Sequence, residues 1–403
     1  MKTICLHFQA HQPYKLKKYR FFNIGKDHLY ADDNANDDNL KSVSNNCYSP
    51  LNSLLEELTK EYGKSFKASI SISGLLAQQL KEKEKDTFDT FCRAAKGGSI
   101  EVVGETYAHS LACLGDNKEF ERQVQKQQQM IKKDFKQTAT TFCNTDLVFN
   151  NVIADMVSDL GFKTILTEGA EALLAWRSPN YVYNSTGKST INILTRNHRL
   201  SDNITFGYHA LGGGDTSISS RRFIDMIKNE EQGDVINLFL DYETFGGYIS
   251  RENGIFDFLR AFVNEVCADS DLQFATPSEV VKSTKSCDTI GVTAAISCAN
   301  ARRNLSTWLE NELQREAFSQ LYSLGDDIRK SGNKSLIEAW EILQSSDHFC
   351  TISFKDEERH HGHNRDFSIQ SPYDAFINYM NVIADLILQV KESKSKGVIK
   401  IKE

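Results

Sequence analysis

The sequence predicts an α/β fold: a barrel of parallel strands followed by a helical region. Three observations lead there. Short β-branched runs alternate with longer segments of helical apolar spacing across residues 1–300. Several of these runs lead into histidines or carboxylates, as expected where strand C-termini form the functional face of a (β/α) barrel. From about Ala301 comparable strand signals stop and long amphipathic segments take over, so a barrel over 1–300 and a helical region over 301–403 are expected.

Strands are expected at Thr3–Phe8, Lys67–Ser73, Ile100–Val103, Phe162–Leu166 and Val235–Leu240. Between them, Pro50–Tyr62 places Leu51, Leu54, Leu55 and Leu58 on one helical face after a Ser-Pro start. Val148–Leu160 follows the same pattern, with Asn144, Thr145 or Asp146 available as its N-cap. The alternating charges of Lys81–Lys85 mark a solvated helix end. Two irregular stretches, Phe21–Asn46 and the Gly212–Gly214-containing Gly207–Ser220, interrupt the alternation as lids or excursions. Leu305–Leu324 and Pro372–Lys391 are expected as the long helices of the C-terminal region.

Composition narrows the function. With 40% apolar and 25% charged residues and 5 prolines, the 403-residue chain is globular. Its 47 basic and 54 acidic residues give a net charge of −7, which lacks the phosphate attraction that nucleic-acid binding needs and points to a neutral or small partner. No apolar run approaches a membrane span, and His7 interrupts the only N-terminal apolar stretch. Nine cysteines without a CxxC pair fit a reducing, cytoplasmic setting. Phosphate-cradling glycine motifs and the GxSxG elbow are both missing, which disfavours phosphoryl transfer and serine hydrolysis. His360, His361 and His363 lack HExxH spacing and a fourth ligand; they read as a polar loop, so neither metal nor cofactor is expected.

The chemistry-bearing residues gather at strand ends. His7, Gln9, His11 and Gln12 lie in or just beyond the first strand, Glu105, Tyr107 and His109 follow Glu101, Asp241 ends an apolar run, and Asp146 precedes a helix. Taken singly, Asp146 and Asp241 are equally readable as caps, and the histidines as hydrogen-bonded core residues. Converging on one rim, two carboxylates among aromatic and imidazole groups suit glycosidic bond cleavage by a nucleophile and a general acid.

Six ordered motifs sharpen this. They are His11-Gln12-Pro13; Gly98–Gly104 with Thr106-Tyr107 and His109–Leu111; Asn144–Leu147 with Asn150-Asn151; Thr167–Ala170 with Trp176–Tyr181; Asp241–Gly246; and Ser371–Phe376. Together they resemble the α-amylase group of glycoside hydrolase family 57 over nearly the whole chain. The resemblance implies an incomplete (β/α)7, TIM-like barrel, a C-terminal α-helical bundle that packs on it and helps form the cleft, and metal-independent retaining chemistry on α-1,4-glucans or maltooligosaccharides. It places Asp241 on the acid/base and Asp146 on the nucleophile. It also places His11, Gln12, Glu101, His109 and Trp176 on the substrate, with Asp347, His348, Tyr373 and Asp374 contributed by the helical region. One departure matters: the family motif carries Glu where this chain has Asp146, an arm shorter by about 1.5 Å. A slowed hydrolase, an inverting one, a glucanotransferase and a glucan-binding or regulatory protein without turnover all remain open.

Overall fold

A computed structural model describes residues 1–208, 216–355 and 371–400. Among the described residues ten strands are present: β1 (Lys2–Ala10), β2 (Ala68–Ile72), β3 (Ile100–Val102), β4 (Thr141–Cys143), β5 (Thr164–Glu168), β6 (Val182–Ser185), β7 (Asn192–Arg196), β8 (Val235–Asp241), β9 (Leu272–Phe274) and β10 (Asp288–Ile290). β1 is buried from Thr3 to Ala10 and pairs in parallel with β2, β8 and β9, with β3 beside β2. A second sheet has the order β10-β6-β7-β5-β4, parallel except where β6 meets β7.

The two sheets join at two seams. Gly104 prolongs β3 alongside β4, donating to the Thr141 carbonyl at 2.9 Å and accepting from the Cys143 amide at 2.8 Å. A Cβ on Gly104 would lie 2.8 Å from the Phe162 ring, so this close approach needs glycine. At the other seam β6 occupies the first half of β7, and β8 joins only beyond it, through the Asn197 amide on the Asn237 carbonyl and Asn237 Nδ2 on the Thr195 carbonyl, both 2.9 Å. The ring thus runs β1-β2-β3-β4-β5-β7-β8, the incomplete seven-stranded barrel that was expected.

Several boundaries differ from expectation for local reasons. The helix predicted from Val148 is Asn151–Asp159, capped by the Asn150 side chain on the Ile153 amide; Asn144, Thr145 and Asp146 belong to a turn before it. Asn311 breaks the predicted Leu305–Leu324 helix into Ser306–Leu309 and Glu312–Ser323 by capping the second piece. Phe21–Asn46 contains the helix Asp33–Val43, capped by Asp32. Upstream of that helix, the chain is strapped to the C-terminal helix Pro372–Lys400 by buried Asp385, which accepts from the Gly25 amide and the Tyr30 hydroxyl and pairs with His28. Within Gly207–Ser220, Gly212–Gly214 lie outside the described residues, as do His360, His361 and His363.

Helices from Ser306 onward follow β10. They dock through buried Glu119 of helix Asn117–Met130, whose Oε1 accepts from Gln123 and from Gln344 of the helical region, both at 2.9 Å. Arg122 bridges Glu119 and Glu341. Among the described residues no helix is long and apolar enough to cross a membrane. None of the nine cysteines is in a disulfide.

Candidate active site

A cavity of about 820 Å³ opens where β1, β4, β7 and β8 end, and its far wall comes from residues 298–303, Thr307 and Trp308 and from Ser346, Asp347, Cys350 and Lys355. Both Asp146 and Asp241 line it.

Asp241 is placed by regular structure. Val235–Leu240 is fully buried in β8, and the parallel register sets Asp241 opposite Gln9 of β1, another cavity residue. Alternation then fixes which side chains of each strand share a face. Asp146 is placed by irregular structure. It has φ 45° and ψ 37°, and Leu147 follows at φ 56°, so two successive non-glycine residues are left-handed. Aspartate tolerates this region better than most residues, whereas leucine is held there against its preference. His109 (φ 50°) and Arg303 (φ 54°) are left-handed as well. Strained backbone of this kind accumulates where surrounding contacts over-determine it.

Behind Asp146, the buried His109 ring lies between two carboxylates, 3.5 Å from Asp146 Oδ2 and 3.3 Å from Glu105 Oε2. Burial alone pulls its pKa down, but the Asp146 and Glu105 carboxylates outweigh that and lift it to about 10. An imidazolium there keeps a facing carboxylate ionised. His11 stacks on His109 with centroids 4.2 Å apart, and its Nδ1 meets Ser73 Oγ at 2.6 Å while its Nε2 meets Asp347 Oδ2 at 3.1 Å. The helical region therefore reaches the cavity side of the barrel through Asp347. His7, on the cavity floor, is kept neutral by burial, with its pKa lowered to about 3.

The opposite wall is ionic. Arg196 contacts Glu168 at 3.2 Å and Asp202 at 2.6 Å, and Arg303 reaches the same two carboxylates at 3.4 and 3.1 Å. Asp202 sits below its usual range because the two arginines outweigh its burial. Cys143 and Cys298 also line the cavity, but burial and nearby carboxylates push both thiols up, away from the reactive thiolate.

Other predicted residues lie elsewhere. Gln12 sits behind the wall, donating to Glu243 at 3.2 Å and accepting from Asn39 at 2.7 Å, with Tyr48 donating to the same Glu243 oxygen at 2.6 Å. Glu101 is turned away from the cavity: its oxygens accept from Thr141 Oγ1 at 2.6 Å and from the Ser278 amide at 2.9 Å, at the start of helix Pro277–Ser283, where a carboxylate favours the helix dipole. Glu105, four residues on, is the one that touches His109. Trp176 is 83% exposed and outside the cavity lining. His348 is buried and accepted by the Ile342 carbonyl, its pKa lowered by burial to about 4. Tyr373 is exposed beside Phe354, and Asp374 is bound to Ser371 at the start of the last helix. None of these last three residues lines the cavity. Glu105 stood among the polar residues at the strand ends and is spaced four residues from His109, whereas Arg196, Asp202 and Arg303 carried no sequence signal.

Comparison with known proteins follows this geometry. The model of glycosyl hydrolase family 57 matches residues 5–293. A protein of Methanocaldococcus jannaschii provisionally named an alpha-amylase is 36% identical over 408 aligned positions, covering 98% of this chain and 86% of that one. Among solved structures, a family 57 branching enzyme from Thermococcus kodakaraensis superposes with a TM-score of 0.70 at 12% identity, covering 89% of this chain and 87% of the other. A 4-alpha-glucanotransferase from Thermococcus litoralis gives 0.68 at 14% identity, covering 86% of this chain, which spans 56% of that longer protein.

Proposed function

The chain belongs to glycosyl hydrolase family 57, and on that premise we propose that it cleaves α-1,4-glucans such as starch, glycogen and maltooligosaccharides in the manner of an α-amylase. The observation that supports this most is that Asp146 and Asp241 line one cavity. Asp241 is the general acid/base. Its proton passes to the glycosidic oxygen as the bond to the anomeric carbon breaks and the Asp146 carboxylate attacks that carbon from the other side; Asp241 then takes a proton from the water that releases the sugar from Asp146. His109, held as an imidazolium, keeps Asp146 ionised for that attack. His11, itself held by Asp347, supports His109 by stacking. The free thiols fit a reducing compartment.

The short arm of Asp146 favours a second reading, a glucan-binding protein without turnover. Incubating the protein with maltooligosaccharides of defined length separates the cases. New reducing ends are expected. Oligosaccharides longer than the input would select glycosyl transfer instead, and glucan retention without any new product would select the non-catalytic reading.

A further inference from the structure

The turn that carries Asp146 is gripped from a distant part of the chain. The Asp146 carbonyl accepts two hydrogen bonds, from Ser297 Oγ at 3.1 Å and from the Cys298 amide at 3.0 Å. Next to them, Phe149 and Ile296 exchange backbone bonds of 3.0 and 2.9 Å, so 296–298 runs antiparallel along the turn. On the other side Thr145 Oγ1 donates to the Ser110 carbonyl at 2.8 Å. Ser297 is fully buried, its oxygen also accepting from the Ala299 amide at 3.0 Å. The segment closes on itself where the Ser297 amide meets the carbonyl of left-handed Arg303 at 3.3 Å. It lies beyond residues 5–293, the stretch that matches the family model.

We infer that Ser297 and the Cys298 amide are positioning groups that hold the left-handed backbone of Asp146 and so aim its carboxylate into the cavity. The direction of the Asp146 carbonyl sets ψ at Asp146 and constrains φ at Leu147. With that carbonyl pinned, ψ at Asp146 determines where its Cα–Cβ bond points. Without the two donors, a left-handed Asp-Leu pair has a lower-energy alternative in the ordinary helical or extended regions, and the carboxylate would swing away from His109. Arg303, which closes the segment, also binds Glu168 and Asp202, so the grip is anchored to the ionic wall of the same cavity.

This inference rests on Asp146 being the nucleophile, yet it has a readout that needs no turnover. Ser297→Ala is expected to lower kcat about 10-fold at unchanged KM, since misplacement of a reacting group by an ångström costs that much or more. Ser297→Thr, which keeps the hydroxyl, is expected to restore most of it. In parallel, the imidazole nitrogens are titrated by NMR in the full-length protein, with His109→Gln assigning the signal. In Ser297→Ala the His109 pKa is expected to fall from about 10 by roughly one unit or more as the carboxylate leaves it. Ser297→Cys, of similar size and with a weaker donor, replaces Ser297→Ala if the latter does not fold. A His109 titration unchanged in a folded variant overturns the inference, even when melting temperature drops. A shifted titration in a protein without turnover upholds the grip and overturns the nucleophile reading alone.

Discussion

The two carboxylates of the cavity are held by opposite means. Asp241 ends a seven-residue buried strand whose register to β1 fixes it, and nothing in its backbone is unusual. Asp146 sits on a left-handed turn that depends on Ser110 on one side and Ser297 and Cys298 on the other. On the proposed mechanism a rigid scaffold carries the proton donor, and an over-determined loop carries the group that attacks the anomeric carbon. A stem of regular structure tolerates changes around it, whereas a strained turn transmits them.

The largest test is of the rigid side. Asp241→Asn leaves the strand and its register intact and removes only the proton, so turnover on maltooligosaccharides is expected to fall about 10³-fold with the melting temperature nearly unchanged. A comparable loss of stability would mean that Asp241 is structural and the contrast between the two sites false.

The strained side is sharpened by pH. His109 has a folded pKa raised to about 10, so its contribution to stability is fully present below the unfolded value near 6.5 and is lost as pH rises through about 10. Measured against His109→Gln by urea unfolding, the wild-type advantage should shrink over that window by on the order of 1.4 kcal/mol per pH unit where the two states differ by a full proton. His7 and His348 act oppositely. Their folded pKa values of about 3 and about 4 remove stability as pH falls below about 6.5. An advantage independent of pH between 7 and 10 would show that His109 is not an imidazolium between Asp146 and Glu105.

A smaller effect is expected from Asp146→Glu, which restores the methylene. Turnover should rise about 10-fold if reach is what limits attack. Stability should fall by no more than about 1 kcal/mol, because the longer side chain suits the left-handed backbone less well. No gain in a variant that still binds glucan would mean that the turn already compensates for the shorter arm.

The same contrast explains what was legible in the sequence. β1 and β8 are long buried runs, and Asp241 stands visibly at the end of one. β4, β9 and β10 have three residues each, too few for any period to show, and β3, equally short, was legible only through its β-branched Ile100, Val102 and Val103. The Asp146 turn contains no glycine to announce positive φ. Its partners Ser297 and Cys298 lie about 150 residues away, as the 151-residue separation of Ser297 from Asp146 shows. Glu101 looked like a site residue because the family resemblance places its motif on the substrate, but its side chain satisfies a helix N-terminus, and Glu105 is the carboxylate beside His109. The ionic wall of Glu168, Arg196, Asp202 and Arg303 spans 135 positions and becomes a unit only once β5 and β7 pair.

Trp176 should give the smallest effect. It was expected on the substrate wall, yet its ring is 83% exposed, with the Arg177 guanidinium 5.2 Å from the ring centroid and Arg177 in turn paired with Asp288. Little is buried there to lose, so Trp176→Ala should change stability by less than about 0.5 kcal/mol. Its loop follows the end of β5, whose last residue Glu168 binds Arg196 and Arg303, but the ring is not part of the cavity lining. Cleavage of short maltooligosaccharides should therefore stay within about twofold of wild type, since no stacking contact worth roughly 1 kcal/mol is removed from a sugar inside the cavity. A tenfold rise in KM for the short substrates would show that the productive path runs over Trp176 and that the glucan cleft is wider than the pocket holding Asp146 and Asp241.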